Sequence, residues 1–428
     1  MEHTLKIDKL IPALLMMTFS WALIAIGIDN FDQWVNPANG TLITDFGLLL
    51  HSERMVLLEE TLLHHFGKTS EILIFLMGAM AIIEMIDHFN GFDTIKKLIK
   101  TKSKKGLLWI LVIIAFILSA IIDNLTATIV LISILRKLVS DSTDRMWYAG
   151  LIVISANAGG AWTPIGDVTT TMLWMAGKVT SGKLMMLLSL PSVVSALIPT
   201  FIASFLPAFK GDVASIAGDN EPDSKHGTLM LVIGLILIIF VPAFKTITHL
   251  PPYIGMMLSL ALFALIAEII SNRSIKFTSF EDNEEQGPGP MMKALSKIEM
   301  PSILFFLGIL MTVAAMESLG LIFSFGKSVS STMPQSLFVI LLGLSSAIID
   351  NVPLVAASIG MFKEGVDATI WHYIAYAAGT GGSVLIIGSA AGVVAMGMEK
   401  ISFFWYLKNI SLLAIIGYFS GLLILFIS

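Results

Sequence analysis

We predict an all-α polytopic membrane protein built from two inverted-topology repeats, each with a re-entrant helical hairpin and a broken transmembrane helix. Three observations lead to this fold class. Of the 428 residues, 56% are hydrophobic and only 13% are charged, about half the charged share of a soluble domain. Two apolar stretches, 119–124 and 346–351, carry the same letters, Ser-Ala-Ile-Ile-Asp-Asn. A glycine pair follows each of them, Gly159-Gly160 and Gly381-Gly382.

Several continuous apolar stretches approach or reach the ~20 residues that a helix needs to cross a bilayer. They lie at 10–28, 71–90, 185–208, 228–247, 253–271, 302–320 and 403–427. We interpret the first as a retained spanning helix, because its apolar run is too long for the core of a signal peptide. The segment 55–66 is amphipathic at helical spacing, which predicts a separate helix lying on the outer membrane surface.

The segments 107–139 and 336–364 each contain two apolar arms with Asp-Asn between them. Basic residues flank the first segment on both sides, and basic flanks favour the cytoplasm. These residues are Lys96, Lys97, Lys100, Lys102, Lys104, Lys105, Arg136, Lys137 and Arg145. Two full spans would also return the chain to one side, but each arm has only about 15 residues, short of a full span. We therefore predict re-entrant hairpins whose tips lie near the membrane midplane.

The segments 147–177 and 370–398 are apolar but interrupted by glycine-rich, polar runs. In the first, Pro164 removes a backbone donor and disfavours helix at the residue before it. We expect two half-helices joined by unwound backbone in each segment. Such a break presents carbonyl oxygens and the positive ends of helix dipoles to an ion.

The same order of elements occurs twice, so we divide the chain into a first repeat, 1–210, and a second repeat, 211–428. Pro12 with Met16-Met17 matches Pro252 with Met256-Met257, ahead of the paired hairpins and broken helices. When the spans are placed so that their basic flanks lie in the cytoplasm, the first hairpin opens to the inside and the second to the outside. This topology has a cytoplasmic N-terminus, a flexible acidic linker in the cytoplasm at 272–300 and an external C-terminus. The stretch 228–247 has no counterpart in the first half.

The polar residues in these apolar segments predict a site for a small, hard cation. Asp123, Asp167 and Asp350 supply carboxylates, and neither hairpin nor broken helix has Lys or Arg in its inner part. Oxygen-rich, anionic sites suit hard cations. Burial disfavours an ionised carboxylate, whereas a bound cation favours it. One set of carboxylates could then hold protons or a cation in turn, which is the chemistry of an antiporter. The sequence has no cysteine and indicates no cofactor.

Two runs, 119–128 and 157–167, resemble the NhaD-type sodium/proton antiporters of the ion transporter superfamily, which includes arsenite-permease-like proteins. The segments 72–87 and 350–354 also resemble this family, and the resemblance covers nearly all of residues 5–428. The resemblance implies exchange of cytoplasmic Na+ or Li+ for external H+, pH homeostasis, a bacterial inner membrane and a homodimer.

The resemblance also implies a set of ion- and proton-binding residues at the hairpin tips and broken helices. They are Ser119, Asp123, Asn124, Thr126, Asn157, Asp167, Thr169, Thr170, Ser346, Asp350, Asn351, Ser383 and Ser389. Among them, Asp123, Asn124, Asp167 and Asp350 are the expected Na+ ligands.

Structural roles are the alternative for several of these residues. The three Asp could simply cap the half-helices that follow them. Ser119, Ser346 and Asn157 could serve helix packing, and the roles of Ser383 and Ser389 stay open. Glu84, Asp87, His88 and Glu317 end spans and could line vestibules or sense protons, although charge at the membrane interface is usual.

Two other functions compete with cation exchange. A sodium-coupled carboxylate symporter or arsenite-type exporter would use the same fold, but acids at both tips would repel an anion. An intramembrane aspartyl protease also needs paired Asp. Its Gly-x-Gly-Asp motif is incomplete at 164–167, so we do not expect an enzyme.

Overall fold

A computed structural model describes residues 9–36, 41–213, 226–273 and 289–427 of the chain. Within these residues, the sheet content is one antiparallel pair, β1 (Trp34–Val35) with β2 (Leu42–Ile43). The first half contains α1 (Leu10–Ile26), α2 (His51–His88), α3 (Asp93–Leu98), α4 (Lys104–Ile122), α5 (Asn124–Leu138), α6 (Ser142–Gly160), α7 (Val168–Met175) and α8 (Ser181–Ala203). The second half contains α9 (Gly227–Thr248), α10 (Pro252–Arg273), α11 (Pro290–Lys297), α12 (Met300–Ser318), α13 (Leu321–Thr332), α14 (Gln335–Ser346), α15 (Asn351–Met361), α16 (Thr369–Gly381), α17 (Ala390–Glu399), α18 (Phe403–Asn409) and α19 (Ser411–Ile427).

Among the described residues, six helices are long and apolar enough to cross a membrane. They are α2, α4, α8, α9, α10 and α12. The pair α18 and α19, bent by 54°, makes a seventh if it is one span. The predicted all-α polytopic class is confirmed.

Three local predictions are wrong. The amphipathic segment 55–66 is not a separate helix, because α2 continues through it for 38 residues, about 57 Å at the usual rise. The first hairpin arm, α4, has 19 residues and is long enough to cross. Part of the linker 272–300 is ordered, since α11 packs against α2 and α10. The acidic run 281–285 lies outside the described residues.

Each predicted hairpin and break is present as local structure. Asp123 joins α4 to α5, and residues 347–350 join α14 to α15. Residues 161–167 separate α6 from α7, and residues 382–389 separate α16 from α17. Each connection ends in a residue whose side chain caps the helix that follows: Asp123, Asp350, Asp167 and Ser389.

The packing between helices is reciprocal across the two halves of the chain. Within each half, a hairpin arm packs on the broken helix, α4 on α6 and α14 on α16. Between halves, α15 packs on α7 while α17 packs on α5, and α12 packs on α1 while α10 packs on α2. Two repeats related by a two-fold axis would make contacts of this kind. We propose the division at residue 210 on this basis.

A buried ion cluster ties the second half to the first. The Glu399 side chain is 1% exposed, and its two oxygens accept from Arg136 Nε at 2.7 Å and Arg145 Nε at 2.8 Å. Glu399 ends α17, Arg136 lies in the last turn of α5, and Arg145 lies near the start of α6. The cluster therefore holds three elements of the packing core together.

We expect Glu399→Ala to destabilise the protein by about 2 kcal/mol, because it removes two charge-assisted hydrogen bonds while water still reaches the Arg136 and Arg145 side chains, which are 45% and 19% exposed. Thermal unfolding of the purified protein in one detergent would measure the change. The matched control is Glu59→Ala, an exposed acid on α2, which should stay within about 0.5 kcal/mol of wild type. Equal stability of the two variants would show that the cluster does not hold these helices together.

Candidate functional site

The two hairpin tips use their aspartates as helix caps. Asp123 has φ 79° and ψ 158°, a conformation that costs a non-glycine residue about 1–3 kcal/mol. Its Oδ1 accepts from the Thr126 backbone N at 3.0 Å, and its Oδ2 accepts from Thr126 Oγ1 at 2.9 Å. Asp350 accepts from the Val352 backbone N at 3.3 Å. Both carboxylates therefore begin the second arm of their hairpin, as the capping alternative predicts.

Asp167 caps α7 from the break in the first broken helix. Its Oδ1 accepts from the Thr169 backbone N at 2.8 Å and from Thr169 Oγ1 at 2.7 Å. Thr170 Oγ1 donates to the Asp167 carbonyl at 2.9 Å. The residue is only 2% exposed, so its carboxylate depends on protein donors for the hydrogen bonds that water would otherwise supply.

Asparagines from both hairpins converge on this carboxylate. Asn124 Nδ2 donates to Asp167 Oδ2 at 2.7 Å. Asn351 Nδ2 lies 3.3 Å from Oδ2 and 3.4 Å from Oδ1. The two copies of the duplicated Asp-Asn motif thus meet at one acid, and capping alone does not require that meeting.

Asn157 extends the network to the second broken helix. Its Oδ1 accepts from Asn124 Nδ2 at 3.0 Å, and its Nδ2 donates to Ser389 Oγ at 3.0 Å. Ser389 also caps α17 by accepting from the Gly392 backbone N at 3.2 Å. It occupies the place in the second half that Asp167 has in the first. A continuous hydrogen-bonded chain therefore joins both tips and both breaks.

Three of the predicted site serines donate their hydroxyls to backbone carbonyls instead. Ser119 Oγ donates to the Ala156 carbonyl at 2.6 Å, and Ser346 Oγ donates to the Ala378 carbonyl at 2.7 Å. These equivalent bonds tie each hairpin to the broken helix of its own half. Ser383 Oγ donates to the Thr380 carbonyl at 2.7 Å. Their contacts match the packing alternative for Ser119 and Ser346.

A small cavity lies between the carboxylates. Its volume is ≈ 50 Å³, and its polar lining includes Asp123, Asn124, Asp167, Asp350, Asn351 and Thr171. No Lys, Arg or His is among the described residues that line it. One water molecule needs about 10–15 Å³ of such space, whereas drug-sized ligands need roughly 300 Å³ or more. The cavity therefore suits a small ion with a few water molecules rather than an organic substrate.

The three acids share this cavity without meeting at one point. Among the residues that the structure describes, no group of three or more His, Cys, Asp or Glu lies close enough to hold a metal ion together. The amide nitrogens of Asn124 and Asn351 donate to Asp167 in this structure, so both amides would have to turn to present their oxygens to an ion beside this carboxylate. Its ligands would be one carboxylate with neutral oxygens, the hard-ligand set that alkali cations accept.

Acids that end spans line two other cavities. The first, ≈ 260 Å³, shares Met80 and Leu125 with the small cavity and is also lined by Thr126, Glu84 and Asp87. The second, ≈ 640 Å³, is lined by Glu317. The acids that the sequence places at the ends of spans thus line vestibules in this structure.

Two polar neighbours of the site were not predicted from the sequence. Thr171 lines the small cavity and donates to the Pro164 carbonyl at 2.9 Å. Thr171 follows Asp167 by four residues, a spacing that puts both on one helix face. This spacing is visible in the sequence and could have identified Thr171. Lys9 Nζ lies 3.8 Å from Asp350 Oδ2, a contact between segments far apart in sequence.

We expect Thr169→Val to raise the KM for the transported cation about tenfold, because it removes a hydroxyl bond to a charged group while the backbone bond to Asp167 remains. Initial exchange rates against cation concentration would measure it. Thr18→Val is the matched control, since Thr18 donates to the Leu14 carbonyl at 2.9 Å on an exposed part of α1. An unchanged KM in Thr169→Val would contradict a role for this hydroxyl in the site.

Comparisons with known proteins agree on a transporter fold. Residues 4–373 match the family model described as CitMHS, citrate transporter. The chain is 43% identical to Sodium/proton antiporter 1 of Arabidopsis thaliana over 84% of its own length and 62% of that relative's length. It is 30% identical to the Na(+)/H(+) antiporter NhaD of Vibrio parahaemolyticus, covering 83% of this chain and 89% of that one. The YdaH transporter structure from Alcanivorax borkumensis superposes with a TM-score of 0.60 over 98% of both chains, at 13% identity.

Proposed function

The chain belongs to the CitMHS family and to the NhaD-type sodium/proton antiporters, and we propose that it exchanges cytoplasmic Na+ or Li+ for external H+ by alternating access. The relatives' names support the exchange of Na+ and H+. The observation that carries the proposal is the meeting of Asn124 and Asn351 on the buried Asp167 carboxylate.

The exchange follows from the electrostatics of that carboxylate. Burial of this carboxylate opposes its ionised form, whereas the donors of Thr169, Asn124 and Asn351 favour that form. We propose that burial prevails without a cation and that the acid then holds a proton. A Na+ ion beside the carboxylate favours the ionised form, so binding of the ion releases the proton. Reversal at the other face of the membrane completes one exchange. Asp123 and Asp350 line the same cavity and add to its preference for cations.

Carboxylate transport, the alternative on the same fold, has weaker support. The family description names citrate, but a carboxylate anion would enter a cavity of ≈ 50 Å³ lined by three acids and two asparagines. Both the volume and the sign of the charge oppose it. Arsenite export by this site has no observation in its favour.

We further propose a bacterial inner membrane and a homodimer, which the resemblance implies, and a cytoplasmic N-terminus with an external C-terminus, which the basic flanks of the spans indicate. The basic residues flanking the first hairpin support this orientation, because cytoplasmic loops carry an excess of Lys and Arg. In this setting, exchange of internal Na+ for external H+ would serve pH homeostasis.

Cation-induced proton movement in everted vesicles tests the proposal. Respiring vesicles carrying the protein would receive NaCl, LiCl, KCl or a dicarboxylate, with a ΔpH-sensitive dye as the readout. We expect Na+ and Li+ to dissipate ΔpH and the dicarboxylate to leave it unchanged. A response to the dicarboxylate alone would favour the symporter instead.

A further inference from the structure

Lys9, immediately before α1, brings a positive charge to the second hairpin tip. Its Nζ lies 3.8 Å from Asp350 Oδ2. The same ammonium lies 4.6 Å from the ring centroid of Phe305 on α12, a cation–π distance. Packing of α1 against α12 fixes the position from which the lysine reaches Asp350.

The two hairpin tips differ in a way that explains this contact. At the first tip, Thr126 donates its backbone N–H to one oxygen of Asp123 and its hydroxyl to the other. The equivalent residue at the second tip is Pro353, which has neither a backbone N–H nor a hydroxyl. Asp350 keeps the Val352 bond to Oδ1, and its Oδ2 faces Lys9. The lysine thus takes the place of the missing donors.

The lysine can also leave this position. Its side chain is 36% exposed, and that of Asp350 is 20% exposed, so water reaches both groups. A lysine ammonium is a compact, hydrated charge on a flexible stem. Lys9 therefore places a positive charge, of the same sign as the transported cation, beside Asp350, which lines the cavity.

We propose that the Lys9 ammonium is a tethered counter-ion of Asp350, which holds that carboxylate in the absence of Na+ and is displaced when Na+ binds. This inference rests on the proposed function and specifies how the second tip loads its ion. Lys9 competes with Na+ and thereby lowers the affinity of the site. A site that must release its ion after each exchange would gain from such competition.

Equilibrium binding of 22Na+ to the purified protein, at one fixed alkaline pH, tests the proposal without turnover. We expect Lys9→Met to lower the Kd for Na+ about tenfold, as removal of a competing unit charge at this distance predicts. Lys9→Arg keeps the charge and should bind within about twofold of wild type. Lys105→Met is the matched control, because Lys105 Nζ also stacks on an aromatic ring, 4.8 Å from Phe205.

A double variant separates competition from a structural role. In an Asp350→Asn background, Lys9→Met should no longer change the Kd, because the lysine acts through that carboxylate. An unchanged or higher Kd in Lys9→Met alone, with wild-type protein binding Na+ normally, would overturn the counter-ion role and leave the proposed function standing. Absence of Na+ binding by wild-type protein would instead refute the proposed function.

Discussion

Asp167→Asn is expected to lower Na+-driven proton exchange by at least about 100-fold. The loss of a unit charge near 4 Å from the cation removes several kcal/mol at the effective dielectric of protein sites, and each 1.4 kcal/mol is tenfold. The new amide would also direct a donor at Asn124 and Asn351, which both donate to this position. Initial rates in proteoliposomes under a fixed ΔpH would measure the effect.

Two variants accompany Asp167→Asn. Asp167→Glu keeps the charge but moves it by one methylene, so it should retain more activity than the amide. Asp45→Asn removes an exposed acid outside the site and should exchange at the wild-type rate. Exchange by Asp167→Asn at a rate close to that of Asp45→Asn would exclude this carboxylate as the centre of the site.

Gly159→Ala and Gly381→Ala are expected to prevent normal folding. A Cβ on Gly159 would collide with the backbone of Phe116, because the added carbon would lie 2.8 Å from the Phe116 Cα. A Cβ on Gly381 would collide in the same way with the Gly343 backbone, 2.9 Å from its Cα. Neither contact can relax by a side-chain rotation, so we expect each variant to lose at least about 3 kcal/mol.

Monodisperse yield and thermal unfolding in detergent would measure this loss. Gly67→Ala is the control, because a Cβ there meets nothing within 4 Å and alanine favours a helix interior by about 1 kcal/mol. The glycine pairs place each broken helix directly against its hairpin. Wild-type stability of either alanine variant would contradict that close packing.

Polar residues are costly in an apolar segment, and this cost is what singled out the polar residues of the hairpins and breaks in the sequence. Asn124 and Asn351 stood out as duplicated, and the structure brings both to Asp167. Pro164 and the glycine pairs predicted the breaks, since they act on the backbone locally. These signals depend on residue type alone, and no knowledge of the packing was needed to find them.

The features that the sequence did not predict depend on tertiary contacts. The direction of the Ser119 hydroxyl toward Ala156 is set by how α4 packs on α6. The approach of Lys9 to Asp350 joins positions far apart in the chain. The continuity of α2 was missed for another reason: Gly67 and Lys68 interrupt its hydropathy, but no proline interrupts its backbone.

Proton release on Na+ binding tests the central claim most directly. NaCl would be added to purified protein in weakly buffered detergent solution, and the pH change would be compared with that from KCl and choline chloride. We predict stoichiometric proton release by wild-type protein on addition of Na+ and little release by Asp167→Asn. Na+ binding without proton release, or equal release by the variant, would contradict the claim that cation and proton compete for this carboxylate.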